Sequence, residues 1–299
     1  MKSFPELHKS IRVADNQFKI SDYKTRLGLR TPKEEDRLKG RLAQDIEEIS
    51  MLQNKLYAED RQSLLIILQG MDSAGKDGTI KYIMKGVNPQ GVSVVSFKHP
   101  NNEELEHDYL WRHTIHLPEH GQIVIFNRSH YENVLITKVH PELILAEHLV
   151  DYDKESKIDN EFWKQRYNQI NNFEKWNIET GTQILKFFLH ISKEEQCIRF
   201  LARINNIEKH WKFSSNDIEE RKYWAHYQEA YEQAIKHTST KLAPWYIIPA
   251  DDKLFAHCLI GSIILEKLKE MNPMFPPKTK QEHEYMQKAK LHLEEELKY

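Results

Sequence analysis

The stretch Gly70-Met71-Asp72-Ser73-Ala74-Gly75-Lys76-Asp77-Gly78 has the residue types and spacing of a loop that cradles phosphate. Gly70 and Gly75 let the backbone curl until successive N–H groups point at one anion, and Lys76 can reach a terminal phosphate. The usual Walker A pattern places Ser or Thr after the lysine, where its hydroxyl binds Mg²⁺. This chain has Asp77 there, which carries a charge and no hydroxyl. Metal binding is therefore expected of another carboxylate, and Asp72, inside the loop, is the candidate. The competing reading is a glycine-rich structural turn, which the setting of the loop disfavours.

Two further clusters carry chemistry. Phe126-Asn127-Arg128-Ser129-His130-Tyr131-Glu132 follows an apolar run. An ATPase typically ends this strand with an acid that holds the metal, whereas Asn127 can orient a water or a phosphate oxygen but supplies no charge. Arg128 can clamp phosphate with two parallel N–H groups, and Glu132 can restore the missing carboxylate. Taken alone, the same residues could merely cap the next helix. The second cluster comprises Arg199, Arg203, Lys209 and Lys212, with Arg221 and Lys222 beyond. Arg199 and Arg203 lie four apart and share a helix face. Cations so grouped suit a lid that closes over a transferring phosphoryl group, and they equally suit a solvated helix partnered by Glu195, Glu208, Glu219 and Glu220. Trp211, among them, reads as core.

The elements that must position these residues follow from hydrophobic pattern. Leu64–Leu68 is a buried-strand run and Thr79–Met84 has helical spacing, so the glycines sit at a strand-to-helix turn whose helix N-terminus adds partial positive charge. Strands are predicted at Val92–Phe97, Gln122–Phe126, Gln183–Leu189 and Trp245–Ile248, alternating with helical stretches. That alternation gives an α/β fold, a parallel sheet covered on both faces, with ligands at the carboxyl ends of the strands. Thr31-Pro32-Lys33-Glu34 reads as N-cap, N1 proline and capping-box glutamate, starting a helix whose Leu38, Leu42, Ile46, Ile49, Leu52 and Leu56 face the core. Residues 1–30 read as polar and irregular. The helix before the fourth strand carries Phe162, Arg166, Ile170 and Phe173 and stops near Gly181. Leu254–Met271 reads as an amphipathic helix on the sheet, broken by Asn272-Pro273, before a charged terminal helix that is solvated or contacts another subunit. No internal repeat is present.

Composition bounds the function. With 299 residues, 29% charged and 39% apolar, the chain has the makeup of one globular domain with additions. A net charge of −2 makes it no general polyanion binder, so a polyanion site needs cations gathered locally. Only Cys197 and Cys258 occur, no apolar run is long enough to span a bilayer, and no apolar signal segment opens the chain. These features predict a cytoplasmic protein that binds neither membrane nor nucleic acid.

The glycine loop, the Asn127–Glu132 segment, and Lys209-His210-Trp211-Lys212-Phe213-Ser214 followed by Asp217, Trp224 and Tyr227 together resemble the polyphosphate kinase 2 family over roughly residues 30–270. The resemblance implies a thymidylate-kinase-like P-loop kinase. It would be a three-layer sandwich with a five-stranded parallel sheet, an N-terminal helical extension (1–60), a lid (199–225) and a helical tail (273–299) around one domain. It implies phosphoryl transfer between inorganic polyphosphate and adenine nucleotides with Mg²⁺ or Mn²⁺, in a homo-oligomer. Members acting on nucleoside diphosphates have Asp-Arg-Ser-Trp-Tyr-Asn where this chain has Asn127 to Glu132, so the pair Asn127 and Glu132 resembles the class that accepts both AMP and ADP. In this reading Asp72 holds the metal. Gly75, Lys76 and Arg128 grip the transferring phosphate, and Arg199, Arg203, Lys209 and Lys212 track the polyphosphate chain. Asn127 and Glu132 position the acceptor beside Asp77. Phe97 and Lys81 are candidates for the nucleobase, though a strand-end core residue and a solvated lysine describe them slightly better. Two rivals remain: an ATP-dependent nucleoside monophosphate kinase, which ordinarily keeps Ser or Thr at the position of Asp77, and a non-catalytic nucleotide- or polyanion-binding regulator.

Overall fold

The computed structural model describes residues 4–14, 17–28 and 30–297. Five strands form one parallel sheet: β1 (Ser63–Gln69), β2 (Val92–Ser96), β3 (Ile123–Asn127), β4 (Thr182–His190) and β5 (Trp245–Pro249). Their order is β2-β3-β1-β4-β5. The central strand β1 is buried along its whole length, which is why its sequence is a continuous apolar run rather than an alternation. From β1 the chain runs to β2 on one side and, after β3, crosses to β4 on the other. The connections thus diverge at the carboxyl end of β1, the place where such sheets open a crevice. Leu68 pairs with Asn127 and Ser96 pairs with the same residue from the other side, so the strand-end residues lie side by side at that edge.

Helices cover both faces. α1 (Phe4–Ile11), α2 (Pro32–Glu59), α3 (Lys76–Ile83) and, later in the chain, the helix Lys253–Met271 gather on one side. α4 (Asn160–Glu179) and α6 (Trp224–Thr238) pack on the other, and α5 (Lys193–Ile204) follows β4. The expected capping box is present in α2, with Thr31 Oγ1 accepting from the Glu34 N–H at 3.3 Å and the Glu34 carboxylate accepting from the Thr31 N–H at 2.9 Å.

Three expectations need correction. The first thirty residues are not wholly irregular. Leu7 and Ile11, one turn apart, bury one face of α1, and His8 bridges Ser262 and Glu266 at 2.7 Å each. The helix Lys253–Met271, here α7, is not amphipathic in place: every residue from Phe255 to Leu265 is buried. The long α2 lies over its outer side, so α2 packs on α7 as a further layer instead of on the sheet. Trp211 is 79% exposed, not core, because its turn (Ile207–Lys212) stands off the body with no sheet behind it. The terminal helix, α8 (Lys280–Glu296), buries no residue. No helix among the described residues is long and apolar enough to cross a membrane.

Candidate active site

The loop between β1 and α3 is shaped by close contact. A Cβ at Gly70 would lie 2.9 Å from the Leu189 carbonyl oxygen, and Gly75 has φ +104° at the N-cap of α3. Both positions therefore require glycine. Ser73 also adopts a left-handed φ of +62°, at a cost of about 1 kcal/mol or more. Two arginines hold it there. Arg203 Nη2 donates to Ser73 Oγ at 2.8 Å, and Arg199 Nη1 donates to the carbonyls of Ser73 (3.1 Å) and Ala74 (2.7 Å).

Lys76 is buried and folded back into its own loop, its ammonium 2.6 Å from the Gly70 carbonyl and 3.3 Å from that of Met71. Burial lowers its pKa, as does Arg128, while Asp72, Glu132 and Asp77 oppose the shift. Arg128 follows β3 with φ +62°, its N–H donating to Leu68 O, and its Nη2 meets Asp72 Oδ1 at 2.8 Å. Glu132, first, and Asp72 raise its pKa against the opposing effect of burial. Arg128 thus pairs with Asp72 of the loop while Glu132 adds to the negative field around it. Both carboxylates have room for a further partner: Asp72 is about one-third exposed, and Glu132 lines a cavity.

Asp77 is engaged where the usual loop offers a hydroxyl. Lys212 donates to its Oδ2 at 2.7 Å and Asn127 Nδ2 donates to its Oδ1 at 2.9 Å. The Lys212 hydrogen bond is the main reason its carboxyl is held below the usual range, against burial. Asn127 Nδ2 also approaches Ser96 Oγ at 3.4 Å, tying the ends of β2, β3 and α3 together. Asp77, Asn127 and Lys212 form one chain of contacts, in which an amide suits the position beside a carboxylate better than an acid would.

The cation cluster divides. Arg203 reaches Asp217 at 2.9 Å as well as Ser73, and Lys212 reaches Asp77, so both join the 207–223 segment to the loop. Lys209 is exposed. Arg199 is buried, and four of its five N–H donors are used inside the protein: on Ser73, Ala74, Ala250 and Glu195. That arrangement clamps the loop and leaves little for a polyanion. Lys81 is exposed on α3 and away from any cavity at the loop. Phe97 is 5% exposed and packs on His113 and Phe126, so it is core, although its ring edge also lines the cavity.

That cavity, about 270 Å³, opens beside Arg128 and Glu132 and continues past Lys98, Arg112 and Thr137. A larger groove of about 620 Å³ lies around Arg166 and Phe162, whereas the smaller cavity is lined by Arg128, which bonds Asp72 of the loop, and is therefore the better placed for chemistry. Arg112 lies over the Phe97 ring at 5.2 Å, pairs with Glu104 at 3.3 Å and donates to Lys98 O. Tyr109 OH and Thr137 Oγ1 line the cavity and are buried without a hydrogen-bond partner. Buried groups of this kind favour a polar ligand. Sequence reasoning missed Lys98, Tyr109, Arg112 and Thr137. They lie in short turns with no periodicity, and only an arginine amid aromatics at Trp111-Arg112-His113 hinted at them.

A five-stranded parallel sheet with a phosphate-type loop at its switch point defines an α/β fold of the P-loop kinase kind. The family profile described as polyphosphate kinase 2 matches residues 32–276. The chain is 48% identical over 238 residues to an ADP-polyphosphate phosphotransferase of Rhodopseudomonas palustris, covering 80% of this chain and 81% of that one. It is 45% identical over 235 residues to an AMP/ADP-polyphosphate phosphotransferase of Meiothermus ruber, covering 78% and 82%. The structure of polyphosphate kinase 2 from Arthrobacter aurescens superposes with a TM-score of 0.83 at 34% identity, over 96% of this chain and 97% of that one. The chain belongs to the polyphosphate kinase 2 family.

Proposed function

We propose that this protein transfers phosphoryl groups reversibly between inorganic polyphosphate and AMP or ADP, with Mg²⁺ as the metal and Mn²⁺ as a substitute. The observation that carries this reading is Arg128, which bonds Asp72 of the phosphate loop and lines the cavity together with Glu132. Phosphoryl transfer asks for in-line placement and charge neutralisation, with little covalent work for the protein. Arg128 would contact the transferring phosphate from the acceptor side. Lys76 would leave the Gly70 carbonyl and bind the same phosphate from the loop side. The acceptor nucleotide fits the cavity, its phosphate toward Arg128 and its nucleoside toward Arg112 and Thr137.

The metal's donor set is sparse. Among the described residues no three His, Cys, Asp or Glu side chains group as a metal cage. Mg²⁺ is commonly held by one or two carboxylates together with substrate phosphates and water, and Asp72, with Glu132 nearby, fits that pattern. When bound, the ion would neutralise charge developing on the phosphate oxygens. The segment carrying Arg203, Lys209 and Lys212 would act as a lid, and the exposed Lys209 and Trp211 on it are free to meet a chain of phosphates.

Incubation with AMP, Mg²⁺ and either polyphosphate or ATP tests the reading. ADP and then ATP should form with polyphosphate as donor. ADP formed only from ATP would make the protein a nucleoside monophosphate kinase, and turnover with neither donor would favour a binding regulator.

A further inference from the structure

Behind the turn that carries Arg128 and Glu132 lies a group of buried charges for which the transfer reaction has no use. Lys186 on β4 and Tyr131 are 0% exposed and Glu174 on α4 is 1% exposed. The Lys186 ammonium donates to Glu174 Oε2 (2.6 Å), Tyr131 OH (2.9 Å) and the Thr238 carbonyl (2.7 Å), which uses all three of its N–H groups. Tyr131 OH in turn donates to Glu174 Oε1 at 2.7 Å. The three side chains close a triangle. His130 Nε2 approaches Glu174 Oε1 at 3.5 Å, long for a hydrogen bond.

Stability alone does not explain such a group. Two ions taken out of water regain little more than their desolvation cost, and well-packed apolar residues of similar volume often do as well. What the triangle supplies is a fixed point for Tyr131, the residue immediately before Glu132. The same turn is held from its other end. Gln69, the last residue of β1, donates to Ser129 Oγ at 3.1 Å, which also accepts the Tyr131 N–H at 3.2 Å, and the Glu132 N–H donates to Ser129 O at 2.9 Å. Arg128, in its left-handed conformation, needs surroundings that impose that geometry.

We infer that Tyr131, Glu174 and Lys186 are positioning residues for phosphoryl transfer, setting where Arg128 and Glu132 stand against the phosphate loop. This rests on the reading that Arg128 and Glu132 meet the acceptor and its phosphate. The network reaches no substrate and acts through the turn. Removing its central hydroxyl breaks the turn's side-chain links to Lys186 on β4 and to Glu174 on α4 together, while the ring of Tyr131 keeps its edge-to-face packing on Trp245 at 4.7 Å.

Tyr131→Phe is the test, in steady-state transfer from polyphosphate to AMP with a thermal melt alongside. The expected result is a cooperative melt, kcat reduced roughly tenfold or more, and a polyphosphate KM within about twofold of the parent chain. In an Arg128→Lys background the same substitution should cost much less, because part of what it misplaces is already altered. Parent kcat in a folded Tyr131→Phe protein, or an equal loss in both backgrounds, would reduce the network to a stabilising role and overturn the inference. If Arg128→Lys itself turns over like the parent, it is the phosphate-gripping role of Arg128 that fails. The kcat of Tyr131→Phe, which reports on Glu132 as well, then still decides the inference. Should Tyr131→Phe not fold, Glu174→Gln with Lys186→Met removes both charges at similar volume, and the same fall in kcat at unchanged polyphosphate KM is expected of it.

Discussion

Replacing Arg199 separates two roles that its sequence position leaves equivalent, gripping polyphosphate or clamping the loop. Arg199→Met removes four hydrogen bonds at once: two to the carbonyls of Ser73 and Ala74 in the loop, one to Ala250 after β5, and the 2.7 Å pair with Glu195. Glu195 stays mostly buried, and taking one partner from such a pair costs about 3–5 kcal/mol. At roughly 2 °C per kcal/mol for a chain of this size, the melting temperature should fall by about 6–10 °C. Ser73, held at φ +62°, loses one of its two restraints, so kcat should fall by about 10- to 100-fold from misplacement of the loop. Arg199→Lys should recover little, because an ammonium cannot span carbonyls on two separate segments as the planar fork does. Thermal melts with kcat and polyphosphate KM for the three proteins form the assay. An unchanged melting temperature with a raised polyphosphate KM, largely restored by lysine, would place Arg199 on the substrate and refute the clamp.

Lys76→Ala should lower kcat by roughly two or more powers of ten, and near-parent turnover would contradict the assignment of the loop. Asn127→Asp combined with Glu132→Asn should move the ratio of kcat/KM values from AMP toward ADP. Asn127→Asp alone should remove the hydrogen bond to Asp77 and set two carboxylates side by side near Lys212; an unchanged ratio in the double variant would remove the two-residue basis for acceptor choice. Acid stability follows from His190, whose pKa burial pushes down to about 4. The unfolded chain binds this proton near pH 6.5, so stability is full above that pH and falls as pH drops toward 4, by about 2 kcal/mol for this group between pH 7 and 5. His257, likewise pushed to about 4 by burial, acts in the same direction. Urea unfolding at the two pH values should show the loss, and His190→Gln should reduce it; an equal loss without His190 would discard the cause.

The sheet and the loop were legible because their signals are local. Leu64–Leu68 is a buried run, the glycines stand where backbone curvature demands them, and Thr31 and Glu34 cap a helix within four residues. What escaped depends on contacts distant in sequence. Arg199 differs from a substrate-binding arginine only because Ser73 and Ala74, more than 120 residues earlier, receive its donors. Asp77 looks like a lost metal ligand until Lys212, 135 residues on, is beside it. Trp211 followed its hydrophobicity in the sequence, but hydrophobicity does not reveal that its turn has nothing to pack against. Leu254–Met271 was read as one-sided because the pattern could not show α2 closing over the other side. The cavity residues Tyr109, Arg112 and Thr137 sit on turns too short to carry a period, and Lys186 on a strand gave no sign that Glu174 and Tyr131 would surround it.

Transfer of labelled phosphorus from polyphosphate to AMP tests the central claim most directly. With Mg²⁺ and no ATP, the label should appear in the β-phosphoryl group of ADP, with a matching loss from the chain. AMP left unlabelled beside an intact polyphosphate chain, while ATP as donor yields ADP, would contradict it.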